Sequence, residues 1–305
     1  MLTIIVPARN DQALTARCLE TVRRSLAKLD LSCQFVLVDD ASEAGDRTTD
    51  VFLAFRNAAG AQHEVKIVRA RTHQHYTGAF SIGLHLATGG DIFFLSNDMF
   101  VTPTFLRALM EVSALDPAFG IVRGTSNLTD GHHEHRVPAP PDLKDYQGIE
   151  AFSGSIYEAH GTNHVEDELL SGDAILIKRS LVDRIGVLDT RFFGYFGDID
   201  YGMRAHIAGF KLVCAKGAWL YHVGAGHLMR EGARRKLSED QLLRMRMALV
   251  DAAYQELRKK WSLDLPAKYQ RGQELKLFAM ARANAGRAAL KCELPKAILD
   301  DLDYY

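Results

Sequence analysis

The chain of 305 residues is 47% hydrophobic and 25% charged, enough to bury one large core, or one α/β domain with an appendage. Its 37 basic and 38 acidic residues leave a formal net charge of −1, which removes the basic field that nucleic acid requires, so no nucleic-acid partner is expected. Cys18, Cys33, Cys214 and Cys292 are scattered without a CxxC pair, which argues against a disulfide framework or a zinc ribbon and fits a reducing, cytoplasmic setting.

The opening apolar run, residues 2–6, lacks a basic flank and is too short for a signal peptide. No stretch reaches the roughly 20 apolar residues that span a bilayer. Any membrane contact is therefore expected from the surface, peripheral at the inner face.

The first part of the chain alternates β-branched runs with helical patterns. Strands are predicted at 3–7, 35–38, 65–68 and 91–95, with helices at 12–29, 47–58 and 78–87 between them. This alternation predicts βαβ units and an α/β fold with a mostly parallel, Rossmann-like central sheet flanked by helices. Ligands of such sheets sit beyond the carboxyl ends of the strands. The residues found there are Pro7-Ala8-Arg9-Asn10, Asp39-Asp40-Ala41-Ser42, Arg69-Ala70-Arg71 and Ser96-Asn97-Asp98.

From 125 to 168 the pattern breaks down. Asn127, His132, His133, His135, Pro138, Pro140 and Pro141 read as a long loop or lid, with the histidines solvated rather than gathered on zinc. A strand follows at 174–177, a helix at 198–208 ending at Gly209, and a strand at 218–221 leading to His222. After about Ser238 the chain reads as helices, with Leu242, Met245, Leu249 and Ala253 on one face. Arg230, Arg234, Arg235, Lys236, Arg244, Arg246, Arg258, Lys259 and Lys260 form a basic run, either a solvated face or a surface for anionic lipid. No internal repeat is present.

Four groups have the chemistry of a site. Asp39-Asp40 ends an apolar strand and either accepts hydrogen bonds from a base and a ribose or caps the next helix. Asp98 offers a hard oxygen ligand to a divalent cation carrying substrate phosphates, or fills a turn. Asp198 and Asp200 sit two apart and cannot share one helix face, so one faces the cleft while the other pairs locally, with Arg204 in reach. The aromatic neighbours of the cleft carboxylate would raise its pKa as a general base needs. His222, beside glycines, can reach a metal or a diphosphate, or serve as a structural strand-end residue.

The order of these motifs resembles the family-2 inverting glycosyltransferases of GT-A fold, especially the rhamnosyltransferase-like members. The resemblance lies in Ile4-Ile5-Val6-Pro7-Ala8-Arg9-Asn10, Val38-Asp39-Asp40-Ala41-Ser42, Leu95-Ser96-Asn97-Asp98, the stretch from Leu188 to Asp200, Gly209-Phe210 and Tyr221-His222. It covers about 2–227. It implies transfer of a sugar from a UDP-, GDP- or dTDP-sugar to a glycan or lipid-linked hydroxyl acceptor, with Mg²⁺ or Mn²⁺ as cofactor. Pro7, Ala8, Asn10, Asp39, Asp40, Arg71 and Asn97 would line the nucleotide. Asp98 and His222 would hold the metal, and Asp198 would be the base, with Asp173 and Asp200 as secondary or acceptor-side candidates.

The implied layout is a GT-A domain over 1–235, with a nucleotide part to about 123 and an acceptor part from about 124, then a helical extension over 236–305. Three positions depart from the family pattern. Gly197 stands where a Glu usually precedes the base, Ser81-Ile82-Gly83 where an Asn is common, and Asn97 where many members have Asp. The rival readings are a sugar-nucleotide pyrophosphorylase, disfavoured by the lack of glycine in residues 7–10, and a non-catalytic sugar-nucleotide-binding domain.

Overall fold

The computed structural model describes all residues except 130–132, 144, 171, 225–231, 233–235, 271–278, 281–282, 285 and 287–289. Four strands, β1 (Leu2–Ala8), β2 (Cys33–Asp40), β3 (Glu64–Ala70) and β4 (Ile92–Leu95), lie parallel in the order β3-β2-β1-β4. The helices α1 (Gln12–Leu29), α2 (Thr48–Ala58) and α3 (His75–Leu86) make the crossovers that parallel neighbours require. Alternation along each strand separates two cores. Ile4, Val6, Phe35, Leu37, Phe93 and Leu95 meet α1, α2 and α4 (Pro103–Leu115) on one face. Ile5, Val36, Val38, Ile92 and Phe94 meet α3, α6 (Arg179–Ile185) and α7 (Gly197–Ile207) on the other.

The sheet continues beyond β4 with mixed pairing. β8 (Ala174–Ile177) runs antiparallel to β4, and β6 (Phe119–Ser126) antiparallel to β8. β9 (Lys211–His222) runs parallel to β6, while β5 (Met99–Phe100) and β7 (His164–Asp167) pair antiparallel with β9. Two successive reversals make β6 and β9 point the same way as β4. The carboxyl ends of β1, β2, β4, β6 and β9, and the amino end of β8, therefore share one edge.

Several expectations change. The stretch 125–168 is not a long loop: it contains the end of β6, a 3₁₀ turn (His133–His135), α5 (Tyr146–His160) and β7. Helix α5 packs Ile149, Phe152 and Ile156, at helical spacing, around Trp219, but the flanking prolines and histidines masked that period in the sequence. His135 is not solvated but buried, its Nε2 2.6 Å from Asp167 and its Nδ1 2.8 Å from Lys216. His132 lies outside the described residues.

The segment after 236 is not purely helical. Helix α8 (Glu239–Trp261), with a Ser238–Gln241 capping box, is followed by the short α9 (Lys296–Leu299) and then β10 (Leu302–Tyr304), which adds antiparallel to β3. The buried stripe of α8 is Val250, Ala253, Tyr254, Leu257 and Trp261; of the expected face only Ala253 is fully buried, and Met245 is exposed. In the basic run, Arg230, Arg234 and Arg235 lie outside the described residues. Lys260 is buried, 2.7 Å from Asp200 and 2.9 Å from Asp189. Among the described residues no helix is long and apolar enough to cross a membrane.

Candidate active site

The shared edge collects the candidate residues. At the end of β1, Asn10 and Asp11 both take left-handed φ angles, 59° and 61°, which turn the chain sharply before Asp11 caps α1. Asn10 stitches this turn to the one after β2: its N–H donates to Ser42 Oγ, and its Oδ1 accepts from the Glu43 N–H. Its buried Nδ2 has no partner among the described residues, so a donor is left beside the β1 and β2 ends. Pro7 is half-buried and Ala8 buried, and Ala8 stands opposite Asp39 in the β1–β2 register.

The two adjacent acids take separate roles. Asp39 is fully buried; its Oδ1 accepts from the Ser42 N–H, and its Oδ2 from Thr49 Oγ1 and Arg69. Both of its carboxylate oxygens are thus engaged in shaping the loop. Asp40 accepts from the Gln74 N–H at 2.6 Å and stands 3.3 Å from His73 Nε2. Burial pushes its carboxyl up to about 7, against the Gln74 N–H and the Arg9 charge, with Asp39 adding to the rise.

β10 occupies the outer edge of β3, and Arg71 is drawn to it, bonding Asp303 at 3.2 Å and the Asp300 carbonyl at 2.9 Å. Arg69, two residues earlier, is the arginine that reaches the Asp39–Ser42 loop.

Beyond β4 the chain turns through Ser96-Asn97-Asp98 into β5. Asn97 donates its amide to Thr15 on α1 at 2.9 Å, bracing the turn. Asp98 Oδ2 lies 3.1 Å from His222 Nε2, brought there by the Met99↔His222 pairing of β5 with β9. Asn127, absent from the expected site, clamps the His222 backbone on both sides: its Oδ1 accepts from the His222 N–H, and its Nδ2 donates to the His222 carbonyl. An Asn directly after a strand was the one available signal for it.

The His222 tautomer follows from its partners. Nδ1 lies 3.2 Å from the carbonyl oxygen of Leu128, which only accepts, so Nδ1 carries a proton. Nε2 then faces a carboxylate that also only accepts. Two acceptors at that distance require a proton or a cation between them. Burial alone would lower the imidazole pKa, but the Asp98 hydrogen bond and charge, with the Asp173 charge, push it up to about 9. Adjacent ligand atoms on an octahedral cation at about 2.1 Å stand about 3 Å apart, so the Asp98–His222 pair fits a divalent ion as well.

Glu134, His135 and Asp167 form a second cluster with ligand atoms within 4.8 Å of one another. The Lys216 ammonium donates to His135 Nδ1, which leaves the proton on Nε2 to be donated to Asp167. The imidazole is thus committed to a hydrogen-bonded latch. Lys216 and His222 stand six positions apart on β9, roughly 20 Å of extended strand, so this cluster is not part of the edge site.

Asp198 is half-buried at the start of α7, its Oδ1 accepting from the Ile199 N–H. Desolvation pushes its carboxyl up to about 6, partly offset by that N–H, and the nearby Asp173 charge adds to the rise. Asp173, at the amino end of β8, is near enough for its charge to act on both Asp198 and His222. Tyr76 closes the floor, donating its hydroxyl to the Gly172 carbonyl and packing edge-on against Phe94.

Gly197 has a steric reason. A Cβ there would stand 2.5 Å from Thr77 Oγ1 and 2.9 Å from Thr77 Cγ2, so no larger residue fits this backbone. Asp200 is not an acceptor-side residue. It is fully buried, bonded by Arg204 at 2.9 Å, the Trp261 indole at 2.9 Å and Lys260 at 2.7 Å.

The profile described as glycosyl transferase family 2 matches residues 3–181, more than half of the chain. The chain belongs to glycosyl transferase family 2. No curated protein sequence matches it. Solved structures share the fold of this family member at low identity. TarS 1–349 of S. aureus superposes with a TM-score of 0.54 and 13% identity over 93% of this chain and 71% of that one. The mannosyltransferase PcManGT of Pyrobaculum calidifontis, solved with GDP-Man and Mn2+, gives 0.54 and 17% over 93% and 86%. GalNAc-T7, solved with UDP, GalNAc and Mn2+, gives 0.57 and 15%; the match covers 99% of this chain but 57% of that one. The mixed α/β sheet flanked by helices is thus the GT-A fold, and glycosyl transfer is the activity class of the family.

Proposed function

We propose that the chain moves a glycosyl group from a nucleoside-diphosphate sugar to a hydroxyl acceptor by a single displacement at the anomeric carbon, with inversion and with Mg²⁺ or Mn²⁺. The observation that carries this reading is the grouping of Asp40, the Asp98–His222 pair and Asp198 on one sheet edge, where open α/β sheets take their ligands.

Asp40 and the Asn10 amide would receive the nucleobase and ribose, since each presents polar atoms beside the β1 and β2 ends. Asp98 and His222 would hold the cation, which when bound neutralises charge on the departing diphosphate. Asp198 would take the acceptor proton. A carboxyl with a pKa of about 6 is ionised at neutral pH yet holds a proton better than an ordinary aspartate, which suits a general base. The motif order supports a rhamnosyltransferase-like member that uses a UDP-, GDP- or dTDP-sugar and a glycan or lipid-linked acceptor.

The exposed Arg244 and Lys259 on α8 would meet anionic lipid at the cytoplasmic side if the acceptor is lipid-linked. Flotation with anionic vesicles at low salt tests that contact, and its absence would exclude it. The reading as a whole is tested by screening sugar nucleotides for metal-dependent nucleotide release, with and without candidate acceptors.

A further inference from the structure

The link between β3 and α3, Arg71-Thr72-His73-Gln74, contains no glycine or proline, and His75 opens α3 with a left-handed φ of 59°. Its local bonds are few: the Gln74 side-chain amide donates to the Thr72 carbonyl at 3.1 Å and to Thr72 Oγ1 at 2.7 Å. It nevertheless carries two of the contacts that define Asp40: the Gln74 N–H donates to Asp40 Oδ1 at 2.6 Å, and His73 Nε2 stands 3.3 Å from Asp40 Oδ2. The His73 and His75 rings lie against each other at 3.9 Å between centroids.

The link is held from outside, by the segment that follows α9. Three donors converge on a single oxygen, Asp301 Oδ2: the Thr72 N–H at 2.9 Å, Thr72 Oγ1 at 2.7 Å and Gln74 Nε2 at 3.2 Å. The Arg71 N–H also donates to the Asp301 carbonyl at 3.0 Å. β10 anchors this segment by pairing Leu302, Asp303 and Tyr304 with Ala70, Arg69 and Val68. Burial alone would raise the Asp301 carboxyl, but the two Thr72 bonds, the Arg71 charge and the Gln74 amide together hold it below the usual carboxylate range, so it is a charged acceptor.

We infer that Asp301 is a positioning residue of the donor site: it fixes the 71–74 link so that Gln74 and His73 present Asp40 to the nucleobase. The inference rests on the reading of Asp40 as a nucleobase contact. A link ordered before binding loses less conformational freedom when the nucleotide arrives, so the effect belongs to donor affinity and not to the chemical step. Asp303 offers an internal comparison. It bonds Arg71 from the same strand but makes no contact with Thr72, His73 or Gln74.

The test is calorimetric titration of UDP, GDP and dTDP with divalent metal into the parent, Asp301→Ala and Asp303→Ala, together with donor KM and kcat. Asp301→Ala is expected to weaken the nucleotide that the parent binds by about tenfold and to raise donor KM to match, with kcat at saturation within about twofold. Asp303→Ala is expected to match the parent in both. Should Asp301→Ala fail to fold, Thr72→Val removes one of the three donors and is expected to weaken binding in the same direction. Parental affinity in Asp301→Ala, or an equal loss in Asp303→Ala, overturns this inference alone. A parent that binds none of the three nucleotides overturns both the inference and the donor reading beneath it.

Discussion

Asp98 Oδ2 and His222 Nε2 stand 3.1 Å apart although His222 already donates its Nδ1 proton in a hydrogen bond to the Leu128 carbonyl. The pair is built for a proton or a cation, and the fold supplies it by pairing the two-residue strand β5 with the end of β9. Removing either ligand should release the cation. Asp98→Ala and His222→Ala are each expected to lower turnover at least about a hundredfold, and excess chelator should do the same to the parent. Electron paramagnetic resonance of added Mn²⁺ checks this without turnover: bound ion in the parent, free ion in both variants.

Asp40 carries an opposing pair of effects. Its folded pKa, about 7, is above the ordinary 3.8, so its contribution to stability is full below about pH 4 and is lost as pH rises through 7. Asp40→Asn should therefore melt higher than the parent at pH 8, with the gain fading below pH 5. The same variant should bind nucleoside diphosphate more weakly. Thermal melts across pH and calorimetry check the two halves separately.

Lys260 ties α8 to α7 by bridging Asp200 on α7 and Asp189 before the 3₁₀ turn Thr190–Phe192. Breaking one member of a buried ionic network leaves the others uncompensated. Lys260→Met is expected to cost about 3–5 kcal/mol of stability in urea denaturation.

Gly197 and Thr77 form a steric pair. Gly197→Ala should destabilise by about 1–3 kcal/mol, because its Cβ would overlap the Thr77 side chain. Thr77→Gly in the same chain should recover most of that loss. A double mutant no more stable than Gly197→Ala would remove the steric explanation.

Much of this fold was readable from residues alone. β-branched runs separated by amphipathic segments marked β1 to β4, and the predicted α1 boundaries coincide with the observed Gln12–Leu29. What stayed hidden lacks a local signature. β5 has two residues, and β10 pairs with a strand more than two hundred residues earlier in the chain. The site divides in the same way. Asp40, Asp98, Asp198 and His222 stand at strand or helix ends that the apolar pattern revealed. The burial of Asp39, the diversion of Arg71 to β10 and the locking of Asp200 by Arg204, Lys260 and Trp261 depend on tertiary neighbours. No spacing rule connects Asp200 to Lys260 and Trp261, some sixty residues away.

The central claim is that this sheet edge catalyses glycosyl transfer with Asp198 as the base. The measurement that tests it most directly is metal-dependent, acceptor-dependent nucleotide release by the parent and by Asp198→Asn, followed from pH 5 to 9. The account predicts parental kcat/KM that falls as pH drops through about 6, because protonation silences the base. It predicts an Asp198→Asn rate lower by about 10² to 10⁴ at neutral pH with nearly unchanged nucleotide affinity. Parental turnover in Asp198→Asn, with the same pH profile, would contradict it.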